Sequence, residues 1–249
     1  MKAIILAAGY ATRLYPLTEN KPKCFLEVGG RTLLDHLLKK VENLPGLEDI
    51  LIVTNARFYP QFLEWQKRAR FSAPLKMIHD GSYSNEDRLG AIGDLRFAIL
   101  KEKIQSDVLM LASDNLFDQD LKAFVEFSHQ KPGGVCVSVY DLQDPKLAAG
   151  KFGVLTLDPD GRVTGMEEKP QRPKSSLIGV GVYFFPERSL EWVGEYLNHP
   201  GAQDAPGHFI RWVYEKGAQI FGFQFKGMWY DIGDLKALEE ANRIFTGGV

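Results

Sequence analysis

Short apolar segments alternate with segments of helical periodicity through the first half of the chain, and this rhythm limits the fold more than any other feature. Such alternation is typical of a parallel sheet whose two faces are covered by helices. The predicted strands of this half are residues 3–7, 50–54, 75–79, 108–112 and 135–140. Between the first two, apolar residues recur at helical spacing behind a Thr32-x-x-Asp35 helix start. The sequence therefore predicts an α/β fold.

The rhythm becomes β-rich after Tyr140. Segments 152–157 and 162–167 flank a turn at Asp158-Pro159-Asp160-Gly161, and residues 177–185 form another long apolar run. Helices over about 187–197 and 208–216, a strand near 219–225 and a final helix from Asp234 complete the pattern. We expect one domain over residues 1–249, with a core at about 1–140 and a smaller lobe with a closing helix at about 141–249.

Composition excludes several classes of protein. The chain has 249 residues, 45% of them hydrophobic, and a formal net charge of −2, which offers no basic surface for a nucleic-acid backbone. Its two cysteines, Cys24 and Cys136, have neither disulfide nor zinc spacing and fit a reducing, cytoplasmic compartment. No apolar stretch reaches the roughly 20 residues of a membrane helix, so no membrane partner is expected. The first apolar run is too short for a secretion signal and reads as a buried strand.

A phosphate-binding loop is predicted after the first strand. Residues 6–18 read LAAGYATRLYPLT, and Lys21-Pro22-Lys23 follows. Small residues let backbone N–H groups approach phosphate oxygens, and Arg13, Lys21 and Lys23 add positive charge beside them. A tight turn with solvated cations is the plainer interpretation. Three cations beside small residues at the carboxyl end of a strand favour binding, although neither GxGxxG nor GxxxxGK[ST] is present.

At these residues the chain resembles the sugar-phosphate nucleotidyltransferases, whose glucose-1-phosphate thymidylyl- and uridylyltransferases carry a signature close to LAAGxGTRLxPLTxxxPK. Further landmarks of that family follow in order: Leu89-Gly90-Ala91, Leu111-Ala112-Ser113-Asp114-Asn115, Phe152-Gly153-Val154, Glu167-Glu168-Lys169-Pro170, Gly179-Val180-Gly181-Val182-Tyr183 and Trp229-Tyr230-Asp231-Ile232-Gly233. The resemblance implies a Rossmann-like, mixed and mostly parallel sheet with a smaller β-rich sugar-binding lobe. It also implies an enzyme that joins a pyrimidine nucleoside triphosphate to a sugar 1-phosphate with Mg²⁺ and releases pyrophosphate.

The resemblance also assigns site residues, although an acid after a strand or in an exposed turn is ordinarily a cap or loop residue. Arg13 and Lys23 would be catalytic, and Asp114 and Asp231 would hold Mg²⁺, which prefers one or two carboxylates with phosphate oxygens and water. The expected nucleotide-binding residues are Leu6, Ala7, Ala8, Gly9, Gly90, Asp114 and, at a pyrimidine edge, Asn85. The expected sugar-phosphate-binding residues are Gly153, Glu168, Lys169 and Gly181.

Several positions depart from the family pattern and leave alternatives open. Ala11 stands where glycine is usual, and Gly179 stands where sugar enzymes often carry asparagine. Glu27-Val28 and Arg31-Thr32 are more similar to muramate- or choline-phosphate-type members. The alternatives are a cytidylyl- or uridylyltransferase acting on such an acceptor, a catalytically silent nucleotide-sugar-binding homologue and, less favoured without a glycine fingerprint, a dinucleotide oxidoreductase. Oligomeric state, including a homo-oligomer, is left open.

Overall fold

A computed structural model describes residues 1–246 of the chain. Its strands are β1 (Lys2–Ala7), β2 (Glu27–Val28), β3 (Arg31–Thr32), β4 (Ile50–Thr54), β5 (Leu75–His79), β6 (Val108–Ala112), β7 (Asn115–Phe117), β8 (Val135–Asp141), β9 (Gly153–Leu157), β10 (Val163–Glu168), β11 (Leu177–Phe185), β12 (Ile220–Gln224) and β13 (Trp229–Asp231). Its α-helices are α1 (Leu33–Val41), α2 (Tyr59–Arg68), α3 (Ala91–Glu102), α4 (Leu121–His129), α5 (Glu191–Leu197), α6 (Pro206–Glu215) and α7 (Leu235–Thr246).

Nine strands of the described chain form one mixed sheet. Its main path runs β10-β9-β11-β6-β1-β4-β5, while β8 pairs with β11 and β12 pairs with β8. Strands β6, β1, β4 and β5 are parallel neighbours, which places their carboxyl ends along one edge. Strand β11 runs antiparallel to both β6 and β8. The predicted helix-flanked, mixed α/β sheet is confirmed.

The later strands extend this same sheet and do not build a second one. Strand β11 pairs with β6 over its second half and with β9 at Ile178, and its register with β8 shifts between Gly179 and Tyr183. The strands predicted at 50–54, 75–79, 108–112 and 177–185 are confirmed residue for residue, and the other strand boundaries move by one residue or so at either end. The predicted helix 187–197 divides into a 3₁₀ turn, Glu187–Ser189, and α5, because Ser189 Oγ donates to the Pro186 carbonyl and closes a local turn (2.7 Å).

Two apolar clusters cover the two faces of the sheet. The alternation along β1 shows this division, since Ile5 belongs to one cluster and Ile4 to the other. The leucine stripe of α1 is buried on the first face, and the Thr32 hydroxyl accepts from the Asp35 N–H (3.1 Å), as the helix-start signal predicts. Helices α3, α5 and α6 cover the second face. No helix among residues 1–246 has the length and apolarity needed to cross a bilayer.

A short two-stranded ribbon places the end of the chain against the carboxyl edge of the large sheet. In it, β13 pairs antiparallel with β7, so that Asp231 lies opposite Asn115. The Ile232 N–H donates to the Asp114 carbonyl (3.0 Å), and α7 packs over this ribbon through a small cluster that includes Leu116, Ile232 and Ala241. The ribbon therefore brings two segments more than 100 residues apart to one place.

Candidate active site

Hydrogen bonds from side chains elsewhere in the chain hold the loop that follows β1. The Ala8 carbonyl accepts from Asn55 Nδ2 (2.9 Å), and the Ala11 carbonyl accepts from Thr18 Oγ1 (2.8 Å). Ala11 has a φ of 46°, in the left-handed region, which explains why glycine is usual there; alanine costs about 1–2 kcal/mol in this conformation. An added Cβ at Gly9 would meet nothing within 4 Å, so open space lies beside the loop.

That space belongs to a cavity of about 320 Å³, here called the nucleotide cavity, at the carboxyl ends of β1 and β6. Six residues that the resemblance assigns to the nucleotide line it together with Lys23: Leu6, Ala7, Ala8, Gly9, Gly90 and Asp114. Asn85 does not line it; the Asn85 carbonyl accepts from Arg88 Nη1 in the neighbouring loop (2.7 Å). Lys21 also lies elsewhere, in a groove beside α2.

A charged centre stands at one end of the nucleotide cavity. Lys23 Nζ lies 2.8 Å from Asp114 Oδ2, and the lysine side chain is only 15% exposed. The second oxygen of Asp114 accepts from Asn115 Nδ2 (2.9 Å), and Asn115 Oδ1 in turn accepts from Trp229 Nε1 (2.7 Å). The Asp114 carboxylate is therefore held in one orientation by groups from two strands.

Asp231 joins this centre from β13. Burial, and next the negative charge of Asp114, raise the pKa of Asp231 to about 6, while the charges of Lys23 and Arg13 lower it. Arg13 is exposed and lies outside the lining of the cavity, yet it is close enough for its charge to act on Asp231. The structure thus places the four sequence-predicted charged residues in one electrostatic cluster.

Two carboxylates that repel each other beside a phosphate loop form a donor set suited to a divalent cation. No group of three His, Cys, Asp or Glu side chains within residues 1–246 could hold a metal by itself. Mg²⁺ does not require such a group, because it takes one or two carboxylates and completes its shell with phosphate oxygens and water. Asp114 and Asp231 therefore fit the ion that the resemblance implies.

A second cavity of about 140 Å³, here called the acceptor cavity, lies over β9, β10 and β11. It is lined by three of the residues predicted to bind the acceptor, Gly153, Glu168 and Lys169. Glu168 Oε2 is buried without a hydrogen-bond partner in the described chain, and burial raises the pKa of this carboxyl. Added Cβ atoms at Gly153 and Gly207 would lie 2.6 and 2.0 Å from that oxygen. The two glycines make room for the Glu168 carboxylate.

Gly181 does not line the acceptor cavity. Its φ is +70°, and an added Cβ would lie 2.6 Å from Asn115 Nδ2. The structure therefore connects Gly181 with the orientation of Asn115 and, through it, of Asp114. The sequence pattern offers no sign of this contact, because Gly181 and Asn115 meet only through the pairing of β11 with β6.

Sequence reasoning missed three residues that also line the nucleotide cavity: Asp94, Asp204 and Pro206. Asp94 lies on the buried side of α3, between Ile92 and Leu95. An acid among the apolar residues of a buried helix face was the feature of the sequence that could have identified it. Asp204 and Pro206 come from the segment that precedes and begins α6, and Pro206 lines both cavities. No local sequence pattern predicts that this segment contacts the two cavities.

The nucleotidyl transferase family profile matches residues 2–247, and the chain belongs to this family. The bifunctional protein GlmU of Methanocaldococcus jannaschii is 28% identical over 249 residues, which are 98% of this chain and 54% of the relative. The chain thus spans about half the length of that protein. The predicted family and enzyme class, a nucleotidyltransferase, are confirmed.

Solved structures show the same fold. A protein assigned as a glucose-1-phosphate thymidylyltransferase from Bacillus anthracis, crystallised with sucrose, superposes with a TM-score of 0.82 at 24% identity, over 99% of this chain and 95% of its own. A UDP-glucose pyrophosphorylase in complex with UDP-glucose gives 0.82 at 20% identity, over 100% and 99% of the two chains. At such identities the likeness establishes the fold.

Proposed function

We propose that the chain transfers a nucleoside monophosphate from a pyrimidine nucleoside triphosphate to a sugar 1-phosphate and releases pyrophosphate. The observation that carries the proposal is the convergence of Arg13, Lys23, Asp114 and Asp231 beside the loop after β1. A silent nucleotide-sugar-binding homologue would need the cavity alone. The clustering of two cations and two acids beside this loop favours catalysis.

In the proposed reaction, an oxygen of the acceptor phosphate forms a bond to the α-phosphorus while the bond from that phosphorus to the bridging oxygen of pyrophosphate breaks. The attacking phosphate has a second pKa of about 6, so it is largely dianionic at neutral pH and needs no general base. Lys23 would neutralise the α-phosphate and Arg13 the departing pyrophosphate. Mg²⁺ held by Asp114 and Asp231 would supply a Lewis acid that offsets charge on the phosphate oxygens.

The acceptor would occupy the second cavity. Lys169 at its rim would attract the acceptor phosphate, and the unpaired Glu168 oxygen would accept from the acceptor's hydroxyl groups. A volume of about 140 Å³ with apolar walls from Val137, Leu155 and Met166 also suits a small acceptor such as choline phosphate. This cavity is the observation that keeps a non-glucose acceptor as the second candidate.

The test is a pyrophosphate-release assay with Mg²⁺ over a grid of triphosphates and acceptors. The grid crosses CTP, UTP, dTTP, ATP and GTP with glucose 1-phosphate, N-acetylmuramate 1-phosphate and choline phosphate. We expect release only when a pyrimidine triphosphate and an acceptor are both present, and Lys23→Ala should abolish it. Release without any acceptor, or with purine triphosphates alone, would contradict the proposal. The same grid identifies the acceptor.

The setting of this reaction is proposed to be the cytoplasm. Both cysteines are free and buried, and burial raises the thiol pKa of Cys136 to about 11, which keeps this thiol unreactive. Free, unreactive thiols suit a reducing compartment, where nucleoside triphosphates and Mg²⁺ are also available.

A further inference from the structure

The lining of the nucleotide cavity contains an acid that the proposed reaction does not use. Asp94 lies in the first turn of α3, is 5% exposed, and lines the cavity beside Gly90 and Ala91. Its Oδ1 atom is buried and has no hydrogen-bond partner among the described residues. A buried acceptor without a partner is costly, so this oxygen is suited to a donor that arrives with a ligand.

The neighbours of Asp94 are themselves acidic. Burial, and then the charge and hydrogen bond of Asp80, raise the pKa of Asp94 to about 8, with a further contribution from Asp204. Asp80 in turn accepts from the Ser82 N–H and hydroxyl (2.8 and 2.9 Å). The Asp94 carboxyl therefore interacts with Asp80, and its Oδ1 atom is left without a hydrogen-bond partner among the described residues.

A second carboxylate reaches the same end of the cavity from the other half of the chain. Asp204 Oδ1 accepts from the Ala91 N–H (2.7 Å), and Asp204 Oδ2 lies 3.4 Å from Arg88 Nε. Gly90, with a φ of +78°, has no room for a side chain, because an added Cβ would lie 2.3 Å from Asp204 Oδ1. Asp94 and Asp204 therefore both line the cavity beside the Gly90-Ala91 turn, and the oxygens of Asp204 are engaged by Ala91 and Arg88.

A carboxyl group that accepts hydrogen bonds from the base can distinguish one pyrimidine from another. Cytosine carries an exocyclic amino group with two N–H donors, and acidic side chains are established acceptors for it. Uracil and thymine offer a single ring N–H between two carbonyl oxygens, and those oxygens would face the carboxyl oxygens of the protein. In the proposed function the charged centre takes the phosphates. The charges that act on Asp94 come from Asp80 and Asp204 and not from that centre, so we place the base beside Asp94.

We propose that Asp94 is a specificity-determining residue that accepts a hydrogen bond from the amino group of cytosine, so that the nucleotide substrate is CTP. The inference rests on the proposed function, because that function places a pyrimidine triphosphate in this cavity. Asp204 is its positioning partner, since it fixes the Gly90-Ala91 turn against which the base lies.

The test is a calorimetric titration of the full chain with CTP, UTP and ATP, each with Mg²⁺, which requires no knowledge of the acceptor. We expect a Kd for CTP roughly tenfold or more below that for UTP. Equal or tighter binding of UTP would overturn the inference and leave the proposed pyrimidine transferase intact. Binding of ATP alone, or of no triphosphate, would instead contradict the proposed function.

Two variants connect the preference with Asp94. Asp94→Leu should raise the Kd for CTP roughly 10- to 100-fold and leave that for UTP nearly unchanged. Asp94→Asn should raise the Kd for CTP and lower the Kd for UTP, because the asparagine amide can also donate a hydrogen bond to the 4-carbonyl of uracil. Asp35→Asn, a substitution of a half-buried acid in the first turn of α1 and outside the nucleotide cavity, is the control and should change neither Kd. An unchanged CTP preference in either Asp94 variant would overturn the assignment.

Discussion

The nucleotide cavity and the acceptor cavity are built in different ways. The nucleotide cavity lies at the carboxyl ends of parallel strands, and a loop of consecutive small residues lines it with backbone. The acceptor cavity lies on antiparallel strands, and its polar character comes from the Glu168 and Lys169 side chains. In the proposed function, the first region would bind the triphosphate and carry out the transfer, and the second region would select the acceptor.

The largest expected effect concerns the charged centre between the two regions. Asp114→Asn and Asp231→Asn should each lower kcat by a factor on the order of 10² or more, since in the proposed function each removes a ligand for the Mg²⁺ ion that would offset phosphate charge. The double variant should be little worse than the poorer single variant, because residues that act as one unit are not additive. Pyrophosphate release by the three variants measures this.

Thermal unfolding is the control for that experiment. Asp231→Asn should leave the melting temperature unchanged or slightly higher, because it removes a buried negative charge that Asp114 repels. Near-normal turnover in either single variant, or full activity in the presence of a chelator, would show that these two acids do not take part in the transfer step. Either result would contradict the proposal that the transfer chemistry belongs to the first region.

A smaller effect is expected at the base end, where Asp94 couples stability to pH. Its folded pKa of about 8 lies above its ordinary value of about 3.9, so the folded state binds the extra proton. The stabilisation from this proton is complete below about pH 4 and is lost as the pH rises toward 8. Relative to Asp94→Asn, the wild-type free energy of unfolding should therefore fall between pH 4 and pH 8, as measured by urea unfolding at several pH values. A constant difference would show that Asp94 does not titrate in this range.

The smallest effect is expected at Asn85. The sequence assigns Asn85 to the base, but the structure leaves it outside the cavity lining. Asn85→Ala should therefore change the ratio of the CTP and UTP Kd values by no more than about twofold, as is usual for a residue without a buried contact. A larger change in this ratio than Asp94→Leu produces would return base selection to Asn85.

Much of the nucleotide cavity could be predicted from sequence because its residues are consecutive. The loop after β1 follows from strand periodicity, small residues and cations that include Lys23, and Asp114 lies just beyond the end of β6, a strand that the pattern identifies. The buried stripe of α1 and the Thr32 cap are equally local features. Local features can be predicted from sequence because each follows from the hydrophobic periodicity of a single helix or strand.

The remaining parts of the site depend on contacts that no single segment encodes. Asp204 hydrogen bonds with Ala91 across 113 residues, and Gly181 makes room for Asn115 only because β11 pairs with β6. The change to a β-rich rhythm predicts a lobe, yet β9, β10 and β11 extend the first sheet, because β11 pairs with β6 as well as with β9. The division of the domain into a core and a smaller lobe at about residue 140 stays a prediction.

The most direct test of the two-cavity account is the pair of KM values in Lys169→Ala. Lys169 lines the acceptor cavity and lies outside the nucleotide cavity, whereas the nearby Lys174 is exposed and outside both. We expect Lys169→Ala to raise the KM of the acceptor phosphate about tenfold or more and to leave that of the triphosphate nearly unchanged, since it removes one charge-assisted contact. Lys174→Ala should change neither KM. An increase confined to the triphosphate, or equal for both substrates, would contradict the account.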